Sequence, residues 1–483
     1  MIMSGLLPFQ REASFIAGEW VEADSGKTIA VTNPATGKPI GTVPDCGAAE
    51  TRRAVEAAHR AFAEWSGRTA ASRAEAMREL AAAIDKNKEE LARLLTTEQG
   101  KSLAEARGEV GLAAAYVLWF AEEARRVYGD TIPSPWADRR IMVIKQPVGV
   151  VAAITPWNFP TLMLARKVGA ALAAGCTVVA KPAHQTPYSA LAWGVMAEEA
   201  GIPAGVVNVI TGEPKPIGAE LTANPLVRKI TFTGSTAVGK QLTAAAAAGM
   251  KRVSMELGGN APFIVFDDAD LDAAVAGAIQ SKYRNSGQTC VCANRFLAQA
   301  GIYDAFVDKL AAAVKGLKVG NGLEEGVTQG PLIDERAVTK VEAHLSDALA
   351  KGAKVLTGGK RHALGGTFFE PTVVAGATAA MTVAREETFG PLAPVFRFDS
   401  EEEAIRMAND TEFGLAAYAF TRDLGRAMRV MEKLQYGQVG INAGLITTEV
   451  APFGGVKDSG MGREGSKYGL DEYLDVKYAC FGL

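Results

Sequence analysis

Residues 148–154 read VGVVAAI, an unbroken apolar run, and residues 155–160 read TPWNFP, a turn. A strand with one face in water alternates apolar and polar residues, whereas a strand buried on both faces does not. The run therefore predicts a central strand of a parallel sheet. Working outward, 162–174 has helical character and is closed by Gly175 at a C-cap position, and TVVAK at 177–181 is the next strand. A helix is expected over 188–200, a strand over 206–210, a short helix over 216–222, a strand in RKITFT (228–233) and another helix from residue 236. Strands alternating with helices in this way build a parallel sheet with helical crossovers. Ligands of such sheets lie beyond the carboxyl ends of the strands. The expected fold class is α/β, and the residues leaving each strand are the functional candidates.

The flanking sequence adds layers to this unit. The first 45 residues read as short strands and turns, and 48–128 is Ala-rich with helical spacing of Ala54, Val55, Ala58, Ala61 and Phe62. A second strand-and-helix block spans 262–453 and contains PFIVF, a helix over 271–283 and APVFRF. The tail, 471–483, ends in the alternating YLDVKYACF, which reads as an exposed strand seeking an edge and suggests oligomerisation.

A chain of 483 residues suggests two or three domains, and 48% hydrophobic against 22% charged residues is the globular class. A net charge of −3 marks no nucleic-acid surface. The five cysteines are odd in number and mostly far apart, so a reducing cytoplasm is expected rather than a disulfide framework. No Cys-x-x-Cys or His-Glu-x-x-His pattern occurs, and no metal site is expected. The four histidines read as surface or packing residues. Residues 1–10 lack a basic leader, and the uncharged stretch 147–165 carries three prolines, so neither a signal peptide nor a membrane helix is expected.

Four segments carry chemistry. In ITFTGSTAVGKQ (230–241), Thr236 stands where a dinucleotide fingerprint needs Gly, and Gln241 where a phosphate loop needs a hydroxyl. What remains is Gly234 turning into a helix N-terminus, with Ser235 and Thr236 as possible caps or phosphate donors; an ordinary strand-to-helix turn is the alternative. In NSGQTCVCANR (285–295), Cys290 lies in a polar, Gly-bearing loop, and Lys282, Arg284 and Arg295 would favour a thiolate. In MELGGNAPFIVF (255–266), Glu256 ends an apolar strand beside two glycines and can reach into a cleft. In ITPWNFP (154–160), the Asn158 amide just beyond a strand can donate to a developing oxyanion.

Together with KPAHQTP (181–187), EETFGP (386–391) and PFGGVKDSGMGREG (452–465), these segments resemble the aldehyde dehydrogenase superfamily over nearly the whole chain. KYRNSGQTCVCANR (282–295) and REGSKYGLDEYLDVKY (463–478) resemble its succinate-semialdehyde branch. The resemblance implies a Rossmann-like cofactor domain over 1–126 and 147–257, with 459–470 returning to it. It implies a catalytic α/β domain over 258–458 and a small β oligomerisation element from 127–146 and 471–483. Cys290 matches the nucleophile, Glu256 the general base and Asn158 the oxyanion donor. Lys181 matches the residue at the adenosine ribose; Thr155, Pro156, Trp157, Gly212, Gly234 and Ser235 match further cofactor contacts. Glu387 matches the carboxylate at the nicotinamide ribose, with Phe389 beside it. Arg166, Arg284 and Ser459 match the grip on a distal substrate carboxylate, and Phe159 and Phe453 match the substrate channel. Cys292 matches a residue that pairs reversibly with the nucleophile in some members.

The implied reaction is oxidation of succinic semialdehyde to succinate through a Cys290 thiohemiacetal and thioester. Glu256 argues for hydrolysis over transfer to coenzyme A. His184 stands where NAD-preferring members often carry Glu, which removes repulsion against a 2′-phosphate, so NADP is expected to be preferred and NAD to be a second cofactor. Glutarate semialdehyde is the alternative substrate. A phosphate-loop nucleotide hydrolase is the rival from another class, and Gln241 speaks against it. Expected partners are a small semialdehyde and further copies of the chain, as dimer or tetramer, with no nucleic acid or membrane.

Overall fold

The computed structural model describes residues 7–483. The 148–154 run contains the strand Val150–Ile154, whose first four residues are buried. It lies inside an eight-stranded sheet. From it the chain steps through Thr177–Lys181 and Val207–Val209 in one direction, and these three strands pair in parallel. It then returns to the other side with Val227–Thr233 and Arg252–Glu256, also parallel. The strand order therefore reverses between Val150–Ile154 and Val227–Thr233, which opens a crevice at their carboxyl ends. Register brings Ile154 level with Lys181 and with Phe232, and Thr233 level with Glu256. Four chemistry-bearing turns thus start at one level.

The second block forms a seven-stranded sheet in the order Lys354–Thr357, Thr372–Ala377, Leu392–Phe398, Ala293–Gln299, Ala261–Val265, Ala416–Phe420, Gln438–Ile441. Its central strands are parallel and are rich in aromatic contacts, Phe263 with Phe296, Tyr418 and Phe420. This sheet presents amino ends to the crevice: Gly258 and Gly259 precede Ala261–Val265, Cys290 precedes Ala293–Gln299, and Glu387 precedes Leu392–Phe398.

The helices Ala70–Lys86, Leu103–Glu123 and Pro160–Ala174 pack in one hydrophobic core behind the first sheet. Every residue of Pro160–Ala174 is buried, Arg166 and Lys167 included. The tail finds its edge within the chain, on the segment grouped with it from the sequence. Leu474–Gly482 pairs antiparallel along its length with Arg139–Pro147 of the same chain, so one of its edges is satisfied internally. Among the described residues its other edge is free, and Val476, Tyr478 and Phe481 are exposed. No helix among the described residues is long and apolar enough to cross a membrane.

Candidate active site

The crevice is a cavity of about 520 Å³, and its wall includes Pro156, Trp157, Asn158, Gly234, Ser235, Glu256, Cys290, Glu387 and Phe389. These are residues from both sheets. Gly259 permits the junction, because a Cβ there would lie 2.7 Å from the Cys290 carbonyl oxygen. Trp157 meets Phe389 edge-on at 5.6 Å between ring centroids.

Asn158 is buried and reaches across the crevice: its Nδ2 donates to the Gln288 carbonyl at 3.0 Å. One amide hydrogen is thereby spent on orientation, and the other is free to meet an oxyanion. The loop before Cys290 is held in an unusual shape, with Asn285 at φ +51° and Ser286 at φ +54°. Two successive non-glycine residues in the left-handed region cost energy and persist only where the surroundings over-determine them. Gln99 Nε2 donates to Asn285 Oδ1 at 3.0 Å, and Asn285 N donates to Glu105 Oε1 at 2.7 Å.

Burial pushes the Cys290 thiol up to about 12; Arg166 and Arg284 pull it down, and Glu387 and Glu256 add to the rise. The sequence expectation about the nearby cations needs correction. Arg295 spends its guanidinium on the carbonyls of Asn260, Met407 and Ala408, and Lys282 Nζ donates to Asn294 Oδ1 at 3.2 Å. Of the three cations expected from the sequence, Arg284 does act on the thiol, and Arg166 joins it from the helix Pro160–Ala174. Cys292 is buried, with its Sγ donating to the Lys282 carbonyl at 3.4 Å.

Glu256 is 2% exposed, and neither carboxylate oxygen has a hydrogen-bond partner. Burial and the charge of Glu464 hold its carboxyl well above the usual carboxylate range, against the pull of Lys167 and Arg166. Glu464 pairs with Lys167, whose Nζ also donates to Thr233 Oγ1 at 2.7 Å. Glu464 and Lys167 escaped the sequence reading because they lie 297 positions apart.

Arg166 is 1% exposed, stacked between Phe453 (4.0 Å) and Tyr116 (5.1 Å). Its Nε has no acceptor, and its nearest carboxylate, Glu464, stands at 3.7 Å. A buried guanidinium with unmet donors is a ready anion site. Arg284 lies 5.2 Å over the Phe159 ring. Ser459 does not join them. Its hydroxyl donates to the Gly258 carbonyl at 2.7 Å and accepts from Gly414 N at 2.8 Å, and the residue is fully buried. It ties three loops together and has no donor left for a ligand. Thr447 escaped the sequence reading; its Oγ1 is buried without a partner, next to Thr448, whose carbonyl accepts from Tyr116.

The residues present fit a dinucleotide. Ser235 caps the helix Thr236–Ala247 without a side-chain bond, and the first turn holds no acid, which leaves N–H groups for a phosphate. Thr155 Oγ1 is buried and unpartnered. Burial pulls the Lys181 ammonium down to about 8, and it donates to the Pro182 carbonyl at 3.0 Å. Burial pushes Glu387 up to about 7, while it accepts from Gly259 N at 3.1 Å. His184 is lowered by burial and by Lys181, so at neutral pH it adds no charge of its own. Gly212 packs its α-carbon against the Cys46 backbone. His344, read from sequence as packing, meets Thr388 Oγ1 at 3.1 Å and lies 3.4 Å from Glu386, bracing the loop that carries Glu387. Lys240, the lysine of the phosphate-loop reading, instead pairs with Asp458 at 2.6 Å on the exposed side of its helix.

Residues 20–479 match the aldehyde dehydrogenase family. The chain belongs to that family. The dehydrogenase is 64% identical over 472 residues to a glutarate-semialdehyde dehydrogenase of Pseudomonas aeruginosa, with 98% of each chain covered. It is 60% identical over 473 residues to an NADP-dependent succinate-semialdehyde dehydrogenase of Escherichia coli, again covering 98% of each. The solved succinate-semialdehyde dehydrogenase of Burkholderia pseudomallei is 63% identical and superposes with a TM-score of 0.98 over 99% of each chain. The enzyme is therefore an oxidoreductase acting on aldehydes with a nicotinamide dinucleotide.

Proposed function

We propose that the enzyme oxidises short ω-carboxy aldehydes, succinic semialdehyde foremost, to the dicarboxylic acid, and prefers NADP over NAD. The observation that carries the substrate class is Arg166, a buried cation with an unmet donor whose charge acts on the Cys290 thiol. With Arg284 it would pair the distal carboxylate, for which the planar guanidinium fork is suited. The two arginines serve a four- or five-carbon chain alike, so glutaric semialdehyde is the second substrate. NADP preference rests on His184, which stands where an acid would repel a 2′-phosphate.

The Cys290 sulfur, once deprotonated, adds to the aldehyde carbon, and the carbonyl oxygen takes the negative charge. The Asn158 amide donates to that oxyanion. Lys181, the Thr236–Ala247 helix N-terminus and Glu387 would hold a nicotinamide dinucleotide, which when bound would accept the hydride the carbon loses. The resulting Cys290 thioester is attacked by water, Glu256 takes the water proton, and the C–S bond breaks to release the acid. Glu464 and Lys167 act on the Glu256 carboxyl through their charges. The free edge of Leu474–Gly482 supports assembly as dimer or tetramer.

A steady-state panel of succinic semialdehyde, glutaric semialdehyde and butanal with NADP and NAD tests this reading. The expected result is kcat/KM at least tenfold higher for both semialdehydes than for butanal, and higher with NADP. Equal efficiency for butanal overturns the substrate class, and a tenfold advantage of NAD overturns the cofactor preference.

A further inference from the structure

One buried charge pair lies directly behind the oxyanion donor. Lys101, in the turn between the helices Lys88–Gln99 and Leu103–Glu123, is 1% exposed, and Glu109 is 4% exposed. Lys101 Nζ lies 2.6 Å from Glu109 Oε2 and donates to the Asn158 backbone carbonyl at 2.7 Å. It also stands 3.7 Å over the Phe159 ring. Glu109 Oε1 in turn accepts from Thr161 N and Leu162 N, capping the helix that begins at Pro160. Asn285 Nδ2 donates to the same Asn158 carbonyl at 3.0 Å and faces the Gln288 carbonyl that holds the Asn158 amide. Removing two charges from water is costly unless further hydrogen bonds satisfy them, as the Asn158 carbonyl, Thr161 N and Leu162 N do here.

The junction of these two helices therefore grips both halves of the reacting centre. Lys101 fixes the loop after the first sheet's Val150–Ile154 strand. Gln99 and Glu105 fix Asn285, in the strained loop before Cys290. We propose that Lys101 is a positioning residue: held by Glu109, it pins the Asn158 carbonyl it shares with Asn285 and so aligns the Asn158 amide with the Cys290 loop. This rests on the reading of Asn158 as oxyanion donor. Lys101 touches no reacting atom, and its effect passes through Asn158.

The test compares Lys101→Met, which keeps an apolar stem on Phe159 but loses the donors, with the double variant Lys101→Met/Glu109→Gln, which leaves no buried charge unpaired. Asn158→Ala is measured beside them. Loss of one fixed oxyanion donor lowers rates about 10²–10³-fold, and both Lys101 variants are expected to lose about tenfold or more in kcat with KM within about threefold. Iodoacetamide alkylation of Cys290 in the apoenzyme, followed by peptide mass, develops no oxyanion and is expected to stay within about twofold. A double variant that keeps kcat within threefold of the parent overturns the proposal. So does alkylation falling in parallel with kcat, which would mean a general disturbance of the cysteine loop. If Asn158→Ala itself keeps full kcat, the oxyanion reading fails and the proposal with it. If Asn158→Ala is slow while the Lys101 variants are fast, only the positioning role fails.

Discussion

The side-chain amide of Asn158 and the backbone carbonyl of Gln288 are joined by a 3.0 Å hydrogen bond, and that bond ties the carboxyl end of one sheet to the amino end of the other. One partner follows the strand Val150–Ile154 and the other precedes Cys290. Neither sheet holds a complete reacting centre, so the chemistry depends on how the two are fastened together.

Arg284 is the more accessible of the two arginines. Replacing it with Ala should raise KM for succinic semialdehyde about tenfold or more, as loss of a charge-assisted bond of about 1.5–3 kcal/mol requires. The KM for butanal should change less than threefold. An equal rise for both aldehydes would show that Arg284 shapes the channel and does not hold the carboxylate.

Glu256→Gln should separate the two half-reactions. Reduced cofactor should appear in a burst approaching one per site, followed by turnover slowed about 10²–10⁴-fold, because the thioester forms but its hydrolysis lacks a base. Rapid-mixing absorbance measures this. Multiple turnovers at the parent rate with no burst would remove Glu256 from the hydrolytic step.

The charge of Glu464 helps hold the Glu256 carboxyl high. Neutralising it in Glu464→Gln removes that repulsion and strengthens the net pull of Lys167, so Glu256 should deprotonate at lower pH. The acidic limb of the kcat profile is expected to move toward acid. A limb that stays in place or moves to higher pH would mean that Glu464 does not face Glu256 in the working enzyme. A loss of stability is also expected, since Lys167 is left buried without its partner.

Burial raises Glu387 from an ordinary 4.5 to about 7. The folded protein therefore holds this proton more tightly than the unfolded chain does. The penalty is absent below about pH 4.5, accrues as pH rises, and is complete above about pH 7. Glu387→Gln should thus stabilise the apoenzyme by about 1–3 kcal/mol at pH 8.5 and by much less at pH 5, in urea titrations. Cofactor affinity should fall in the same variant. Equal gains at both pH values would show that the effect is packing and not charge.

The legible part of this protein was carried by local signals. The apolar 148–154 run, the glycine-closed helix after it and the turn residues leaving each strand are consequences of periodicity and backbone preference within about ten residues. They located Asn158, Gly234, Glu256 and Cys290. Residues whose role lies in distant partners were misread or missed. Ser459 reads from its motif as a substrate contact, yet its hydroxyl bridges Gly258 and Gly414. His344 reads as a surface or packing residue, and Lys101 and Lys167 carry no local signal, because nothing in the sequence around them shows that a carboxylate or hydroxyl from another segment will meet them in the core.

The sequence by itself determined the class of fold and the family and nominated the candidate reacting groups, since each is written in contiguous residues whose backbone demands are local. Tertiary structure alone decided how those groups are tuned. The rise of the Cys290 thiol and the Glu256 carboxyl comes from desolvation by both sheets. The unmet donor of Arg166 comes from burial among Tyr116, Phe453 and a carboxylate too far to satisfy it. Burial, dielectric and cross-sheet hydrogen bonds are properties of the assembled volume, which no stretch of chain holds in advance.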